Sequence, residues 1–352
     1  MDNDRRRVLL GLASLPLAAC SSTETTTAPS PSASASASLS PSSTTASAAP
    51  MDTPLPSSTP TTSPPSPPPA PALPTVSAWQ PGPGEPLPQL KQAAAAFIEA
   101  AGTWAGGAGA ARSLTALGVP PQIAATAIEL EAPGAVSSNV QVIYPQFGGV
   151  QPTDAAIILL FDQEVTAADG VVTRRQKALD LRLALSADQR WTVLRINPLT
   201  SLGSPIARSQ EANAVLAQPR IELSAPARID VTNGRMDRRL LRVLLGLAND
   251  HVLAVDVMAT GHIQTVYPTP RLSNHAVGRA VDLRAVDGMA VVDKATPVAL
   301  LTRVMLGAAK LGATEVGGPF DLNGPKRGFF SDTTHQDHLH IGISENTPPA
   351  SL

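Results

Sequence analysis

Cysteine is almost absent from this chain, and its absence excludes a fold held together by disulfides. Only one cysteine, Cys20, occurs among the 352 residues, so the folded part must rely on a hydrophobic core. Aromatic residues make up 3% of the chain, which argues against a stacking platform for sugars or nucleic-acid bases. The formal net charge is −2 and the pI is near 6.3, so nucleic acid and anionic membrane surfaces are not expected as main partners.

Histidine is missing from the first 250 residues and concentrated in the last hundred. All six histidines lie between His251 and His340. Four of them fall in two short segments, Ser-Asn-His-Ala-Val-Gly-Arg-Ala-Val-Asp at residues 273–282 and His-Gln-Asp-His-Leu-His at residues 335–340. Imidazole and carboxylate groups suit a catalytic Zn²⁺ site, which needs three protein ligands and one open position. We therefore expect the chemistry in the C-terminal part.

The first 20 residues are typical of an export signal. Arg5, Arg6 and Arg7 precede an apolar run over residues 8–17, which is too short to span a bilayer. The run ends in Leu-Ala-Ala-Cys, which resembles the lipobox of bacterial lipoproteins and implies cleavage after residue 19 and lipidation of Cys20. A chance cysteine beside an ordinary signal peptide is the alternative. The basic run also resembles a twin-arginine signal, so both export routes stay open.

The composition divides the chain into four segments: a signal peptide over residues 1–19, a linker over 20–85, and two folded units over 86–207 and 208–347. The linker consists largely of Ser, Thr, Ala and Pro, which predicts disorder. As an extended spacer it would reach on the order of 200 Å. Acyl chains on Cys20 would hold the protein on the outer face of the cell membrane, and the linker would carry the folded part into the cell wall.

The first unit has a helical pattern followed by alternating, strand-like segments. Helices are predicted over residues 90–104 and 122–130, and strands over 140–144, 155–161, 178–185 and 191–196. This order favours an α+β domain with a curved antiparallel sheet, similar in layout to nuclear-transport-factor-like domains. The unit contains neither histidine nor clustered acids, so a binding or spacer role is expected.

The second unit is also predicted to be α+β. Strands are predicted over residues 221–223, 228–231, 252–258, 280–283 and 339–343, a turn at 233–234, and helices over 236–249 and 297–311. Gly278 would let the chain turn so that His275 and Asp282 converge. Val281 would point to the opposite face from Asp282, whereas His338 and His340 would share a face.

Ser-x-His-x-x-Gly-x-Ala-x-Asp followed by His-x-His resembles zinc peptidases of the D-Ala-D-Ala carboxypeptidase and dipeptidase type, whose metal-site fold the Hedgehog signalling domain shares. The resemblance implies Zn²⁺ bound by His275, Asp282 and His340, and an amide bond attacked by zinc-activated water. It also suggests substrate contacts from Ser273. Relatives carry an upstream Ser-Gly-x-Arg, where this chain has Thr-Gly-His ending at His262, so the substrate-binding arginine is displaced. His262 and Arg279 are the substrate-binding candidates, with Arg271 and Arg284 nearby.

The general base is less well defined by the resemblance. Relatives have Glu three residues before the last histidine ligand, and Asp337 stands there with a side chain one methylene shorter. Leu339 replaces the tryptophan that many relatives carry. His338 and His335 are the alternative bases, and Asp332 could orient a histidine.

These observations together predict a zinc-dependent peptidase that cleaves D-amino-acid amide bonds of peptidoglycan stem peptides at the cell surface. The first alternative is an inactive, zinc-containing lipoprotein that binds the cell wall or signals. In the second alternative, the 86–207 unit carries an apolar ligand and the zinc is structural.

Overall fold

The structure, a computed structural model, describes residues 76–352. The predicted signal peptide, Cys20 and most of the linker lie outside the described residues. All described residues belong to one compact unit, Pro67–Leu352. Among them, no helix combines the length and the apolar character needed to cross a membrane.

The N-terminal part, residues 76–207, begins with helices and continues into a sheet. Its helices are α1 (Pro88–Gly102), α2 (Ala110–Ala116), α3 (Pro121–Ala124) and a 3-10 helix (Ala125–Leu130). Its strands are β1 (Trp104–Ala105), β2 (Ala135–Val150), β3 (Asp154–Ala167), β4 (Val172–Leu185) and β5 (Trp191–Ile196). A proline in the first turn of α1 fixes the backbone angle that the helix needs.

The five strands form an antiparallel sheet in the order β1-β2-β3-β4-β5. The pairing of β2 with β3 is interrupted by three register shifts, and such bulges bend a strand and increase its twist. The sheet therefore curls around α1, which buries Leu90, Ala94, Ile98 and Ala101 at helical spacing. Lys91 is also buried on this helix, although it is a cation.

The C-terminal part, residues 208–352, has four helices around a second sheet. The helices are α4 (Gln210–Ala217), α5 (Ala225–Thr232), α6 (Arg238–Leu247) and α7 (Val298–Lys310). The strands are β6 (Ile221–Leu223), β7 (Leu253–Val257), β8 (Ala280–Val286), β9 (Met289–Ala290), β10 (Glu315–Gly317), β11 (Phe329–Phe330) and β12 (Leu339–Gly342). The sheet order is β11-β10-β12-β8-β7-β6, with β9 on β8.

The core of the C-terminal part lies between this sheet and its helices. Leu240, Leu241 and Leu244 of α6 are fully buried in it, together with Val281 of β8. Val281 therefore points away from the face that carries Asp282, as predicted. The α+β class is confirmed for the described residues.

One predicted strand is wrong. Residues 228–231 belong to helix α5, not to a strand. The Ser224 hydroxyl oxygen accepts a hydrogen bond from the Ala227 amide at 3.2 Å, and Pro226 lies in the first turn. This cap and proline start a helix, and they outweigh the β-branched Ile229 and Val231 that suggested a strand.

Candidate metal centre

Strand pairing brings Asp282 and His340 together. Strands β8 and β12 run antiparallel, and Asp282 lies directly opposite His340 in their register. Side chains at such positions share a face of the sheet and meet across it. Leu339 and Ile341 point to the opposite face and are fully buried in the core. The alternation of β12 therefore presents His340 to Asp282.

His275 reaches the same place from a tight turn. It begins a 3-10 turn, His275–Val277, that is closed by Gly278 with a φ of 70°. A Cβ on Gly278 would lie 2.8 Å from the Arg235 carbonyl oxygen, so the turn also packs closely against a neighbouring segment. Glycine meets both requirements, as the sequence predicted.

His262 approaches from the loop that follows β7. The buried Asp230 of α5 holds this loop, since one of its oxygens accepts from the amides of Ala259 and Thr260, both at 2.8 Å. Gly261 lies against the backbone of β4, where a Cβ would collide with the Ala178 carbonyl oxygen. The His262 ring stacks on the His275 ring, with centroids 3.6 Å apart.

Each of these rings turns one nitrogen outward to an oxygen and the other toward Asp282. His275 Nδ1 donates to the Met258 carbonyl, and His262 Nδ1 donates to the Ile263 carbonyl at 2.8 Å. Carbonyl oxygens only accept, so these outer nitrogens carry the protons. In the neutral form of each ring the inner Nε2 atom keeps a lone pair, and this is the form that binds a metal.

Three ligand-type atoms form a small triangle. His275 Nε2 is 3.1 Å from His340 Nδ1 and 3.2 Å from Asp282 Oδ1, and His340 Nδ1 is 3.1 Å from Asp282 Oδ1. Ligand atoms about 2.0–2.1 Å from a tetrahedral Zn²⁺ stand about 3.3 Å apart. Imidazole and carboxylate atoms at these distances can share either a proton or a metal ion, so the donor set is compatible with a metal ion.

His262 belongs to a wider group. His262, His275 and Asp282 each offer one ligand atom within 4.8 Å of the others, and this group could hold a metal ion. His262 Nε2 is 3.8 Å from Asp282 Oδ2, farther than the atoms of the triangle are from one another. The sequence assigned His262 to substrate binding, and the structure brings it to the possible ligands.

The electrostatic potential of the site favours a cation. Burial opposes the charge on Asp282, but His275 and His338 hold the pKa of that carboxyl well below its usual range. Burial also opposes the charge on His340, but Asp282 and Glu315 raise its pKa to about 9. The same negative groups that retain a proton on His340 would attract a metal ion.

Asp337 lies behind the site rather than in it. Its Oδ1 accepts from His338 Nδ1 at 2.7 Å, and its Oδ2 accepts from Lys91 Nζ at 2.5 Å and from the Phe147 amide at 3.0 Å. The side chain is fully buried. Strand β12 starts only at Leu339. Asp337 lies before it, so the alternation of side chains along the strand does not fix its direction, and it turns toward α1. His338 Nε2 points toward Asp282 Oδ1, at 3.8 Å.

A cleft of about 330 Å³ opens over the metal-binding group. Its walls come from β2, from the loop after β7 and from the segment before β12, and they include Phe147, Tyr267, Arg271, Phe330 and His335. His335 Nδ1 contacts Asp332 Oδ1 at 2.7 Å, the orienting contact that the sequence suggested.

Only some of the other candidate substrate-binding residues line the cleft. Ser273 lines the cleft, and its hydroxyl accepts from the His275 amide at 3.3 Å. Arg279 instead pairs with Glu345 at 2.5 Å, and Arg284 pairs with Asp256 at 2.7 Å. Arg271 is the candidate arginine that the structure brings to the cleft.

Sequence reasoning missed the groups that hold the ligands in place. Lys91, Gln146 and Phe147 reach the site from the N-terminal part, across 136 to 246 residues of sequence. Glu315 lies 3.9 Å from His340 Nε2 and accepts from Asn274 at 2.8 Å. No local pattern marks these residues. The buried cation of Lys91 on an otherwise apolar helix face was the one available signal.

Comparison of the chain with protein-family models, with curated proteins and with solved structures found no match. The function is therefore argued from the site itself.

Proposed function

We propose that the protein is a zinc-dependent peptidase acting on peptidoglycan stem peptides outside the cell. The triangle of His275 Nε2, Asp282 Oδ1 and His340 Nδ1, with edges of 3.1 to 3.2 Å, carries the proposal. These three side chains would hold Zn²⁺, with His262 as the alternative third ligand. Zn²⁺ at such a site supplies Lewis-acid activation of water and of an amide carbonyl.

His338 is the proposed proton acceptor. Its Nδ1 is held by Asp337, so Nε2 is the basic nitrogen, and it faces the same side of the sheet as His340. Asp337 acts on His338 as a positioning group in this proposal, because its own oxygens already accept from Lys91, Phe147 and His338. This replaces the direct base role that the sequence pattern suggested for Asp337.

The substrate class follows from the cleft, the export signal and the resemblance of the motifs. Arg271 in the cleft offers a guanidinium that could pair with a peptide carboxylate. Stem peptides with D-amino-acid ends lie in the cell wall, where the proposed lipid anchor at Cys20 and the linker would carry the folded part. In the same proposal, the C-terminal part has a fold like that of the D-Ala-D-Ala peptidases, and the N-terminal part has a fold like that of nuclear-transport-factor domains.

The test is metal content and cleavage by residues 21–352, which lack the predicted signal peptide and Cys20. We expect about one zinc per chain and cleavage of muropeptides detected by mass spectrometry. His275→Ala should lose both properties, because it removes a ligand. His251→Ala is the matched control, since His251 is also buried but pairs with Asp287 at 2.8 Å outside the site.

The second candidate is a zinc-containing module that binds the cell wall without cleaving it. The observation that favours it is that Asp337 is fully buried and both of its oxygens already accept hydrogen bonds inside the protein, so the expected carboxylate base does not line the cleft. Zinc in the purified chain together with intact muropeptides and retention on cell wall would select this candidate. Absence of zinc even after it is offered at neutral pH would refute both.

A further inference from the structure

Gln146 connects the N-terminal sheet directly to a candidate metal ligand. It lies in β2, it is 2% exposed, and its Nε2 donates to Asp282 Oδ2 at 2.7 Å. The two residues are 136 positions apart. The amide orientation follows from chemistry, because the Gln146 Oε1 atom and the carboxylate oxygen are both acceptors and could not bond to each other.

The contact divides the two oxygens of Asp282 between different tasks. Oδ2 accepts from Gln146, while Oδ1 faces His275 Nε2 at 3.2 Å and His340 Nδ1 at 3.1 Å. A carboxylate that can rotate offers a metal either one oxygen or both. The hydrogen bond from Gln146 prevents this rotation and leaves Oδ1 as the single ligand atom.

A neutral amide suits this place better than a charged side chain. Asp282 is fully buried and already has several histidines close to it. A cation in place of Gln146 would compete with the metal for the carboxylate, whereas an anion would repel the carboxylate. An amide donates a hydrogen bond without changing the net charge of the site.

The adjacent residue makes a parallel contact. The Phe147 amide donates to Asp337 Oδ2 at 3.0 Å, and Asp337 in turn holds His338. Two consecutive residues of β2 therefore donate to two carboxylates, the candidate ligand Asp282 and the Asp337 side chain that holds His338. Gly149, slightly farther along β2, lies so close to Tyr267 of the cleft wall that a Cβ there would collide with the tyrosine side chain. The C-terminal half of β2 therefore packs directly against the site.

We propose that Gln146 is a positioning residue of the metal centre, and that the N-terminal part thereby helps to form the site instead of serving as a spacer. The inference rests on the metal site of the proposed function, not on the peptidase reaction. Gln146 does not touch the metal; it acts through Asp282.

The test compares Gln146→Met with Gln163→Met in residues 21–352. Gln163 is a matched control, since it is 1% exposed, lies in the same sheet and donates to the Leu130 carbonyl and the Ser138 hydroxyl. Both variants lose buried hydrogen bonds, but Gln146 alone of the two contacts Asp282. Zinc affinity would be measured by competition with a chromophoric chelator, and thermal unfolding would be followed without metal.

We expect Gln146→Met to weaken zinc binding by about 10- to 100-fold, the usual effect of losing a hydrogen bond to a ligand. Gln163→Met should lower the metal-free unfolding temperature and bind zinc like the unchanged chain. Co²⁺ in the site gives a second readout: its visible absorption should change in Gln146→Met, because a freed Asp282 can bring both oxygens to the metal. The absorption should not change in Gln163→Met.

The outcomes separate this inference from the proposed function. If the unchanged chain binds no zinc, the metal site itself is wrong. If the unchanged chain binds zinc and Gln146→Met has the same affinity and the same Co²⁺ spectrum, the positioning role is wrong and the site stands. Should Gln146→Met fail to fold, Gln146→Asn carries the test, because it keeps the amide but is too short to reach Oδ2.

Discussion

The charge of Asp337 is balanced inside the protein by a lysine from the other end of the chain. Lys91 and Asp337 are fully buried, 246 residues apart in sequence, and 2.5 Å apart between Nζ and Oδ2. Lys91 also contacts Glu85 and the Tyr144 hydroxyl. Lys91 and His338 hold the pKa of the Asp337 carboxyl below its usual range, although burial acts in the opposite direction. Because both side chains are fully buried, removing one partner would leave the other without a counterion inside the protein.

A double-mutant cycle on this pair is the first prediction. Lys91→Met should lower the free energy of unfolding by about 3–5 kcal/mol, because it leaves two buried carboxylates, Asp337 and Glu85, without their cation. Adding Asp337→Asn should recover part of that loss, with a coupling energy of about 2–3 kcal/mol. Chemical denaturation of the four proteins measures both quantities.

The matched control is the pair Lys177–Glu129, whose charged atoms are 3.0 Å apart but whose side chains are 21% and 28% exposed. Its coupling energy should stay below about 1 kcal/mol, as is usual for pairs in contact with water. Equal coupling energies for the two pairs would mean that burial does not strengthen the Lys91–Asp337 interaction.

Single residues of the site were predictable where a motif carries them. His275, Asp282 and His340 stand in two short patterns whose resemblance to zinc peptidases made them candidate ligands, and the structure brings them together. Lys91 and Gln146 could not be predicted, because their contacts depend on how β2 and α1 pack against a segment more than a hundred residues away. The side-chain direction of Asp337 could not be predicted either, because it depends on whether β12 starts before or after this residue.

At the scale of elements, the turn that joins His275 to β8 places two steric demands on Gly278. Gly278 combines a φ of 70° with close packing on the Arg235 carbonyl oxygen. Gly278→Ala should therefore be strained by the backbone angle and also collide with a neighbour. Because the turn sets the distance between His275 and Asp282, we expect a loss of zinc affinity in addition to a loss of stability. Chelator competition and denaturation measure the two effects.

Gly288→Ala is the control for that variant. Gly288 has a φ of 76° in the turn between β8 and β9, but a Cβ added there would have no neighbouring atom within 4 Å. The substitution should cost about 1–2 kcal/mol for the left-handed backbone alone. Gly278→Ala should cost at least about 1 kcal/mol more, because it also overpacks the turn. If the two variants are equally stable and bind zinc equally well, the close approach at Gly278 contributes neither to the free energy of unfolding nor to zinc affinity.

Elements with strong periodicity were predicted well, and capped short helices were not. Helices α6 and α7 and strands β7, β8 and β12 lie within or near their predicted ranges. Residues 228–231 of helix α5 were predicted as a strand, although Ser224 and Pro226 carry a helix-start signal. Helices α2 and α4 have seven and eight residues, too few for a clear helical period.

At the scale of the whole molecule, two hydrophobic cores are joined by a small apolar cluster, in which Ile158 and Leu160 pack with Val257, and by polar contacts that converge on one site. One core lies under the N-terminal sheet and the other under the C-terminal sheet. Between them run the hydrogen bonds from Gln146 to Asp282, from Phe147 and Lys91 to Asp337, and from the Thr200 hydroxyl to the His262 carbonyl at 2.7 Å. Loss of either core would thus remove support from the metal centre.

This arrangement predicts that residues 76–352 unfold in one calorimetric transition. Zinc should raise the temperature of that whole transition. Zinc at about 100 times its dissociation constant should add about 2.7 kcal/mol to the free energy of unfolding, since the unfolded chain has no preformed site. For a protein of this size that corresponds to a rise of roughly 5 °C in the unfolding temperature. A chelator should reverse the rise, and His275→Ala should abolish it. Two transitions, of which zinc shifts only one, would mean that the two cores unfold independently and that the contacts between them contribute little.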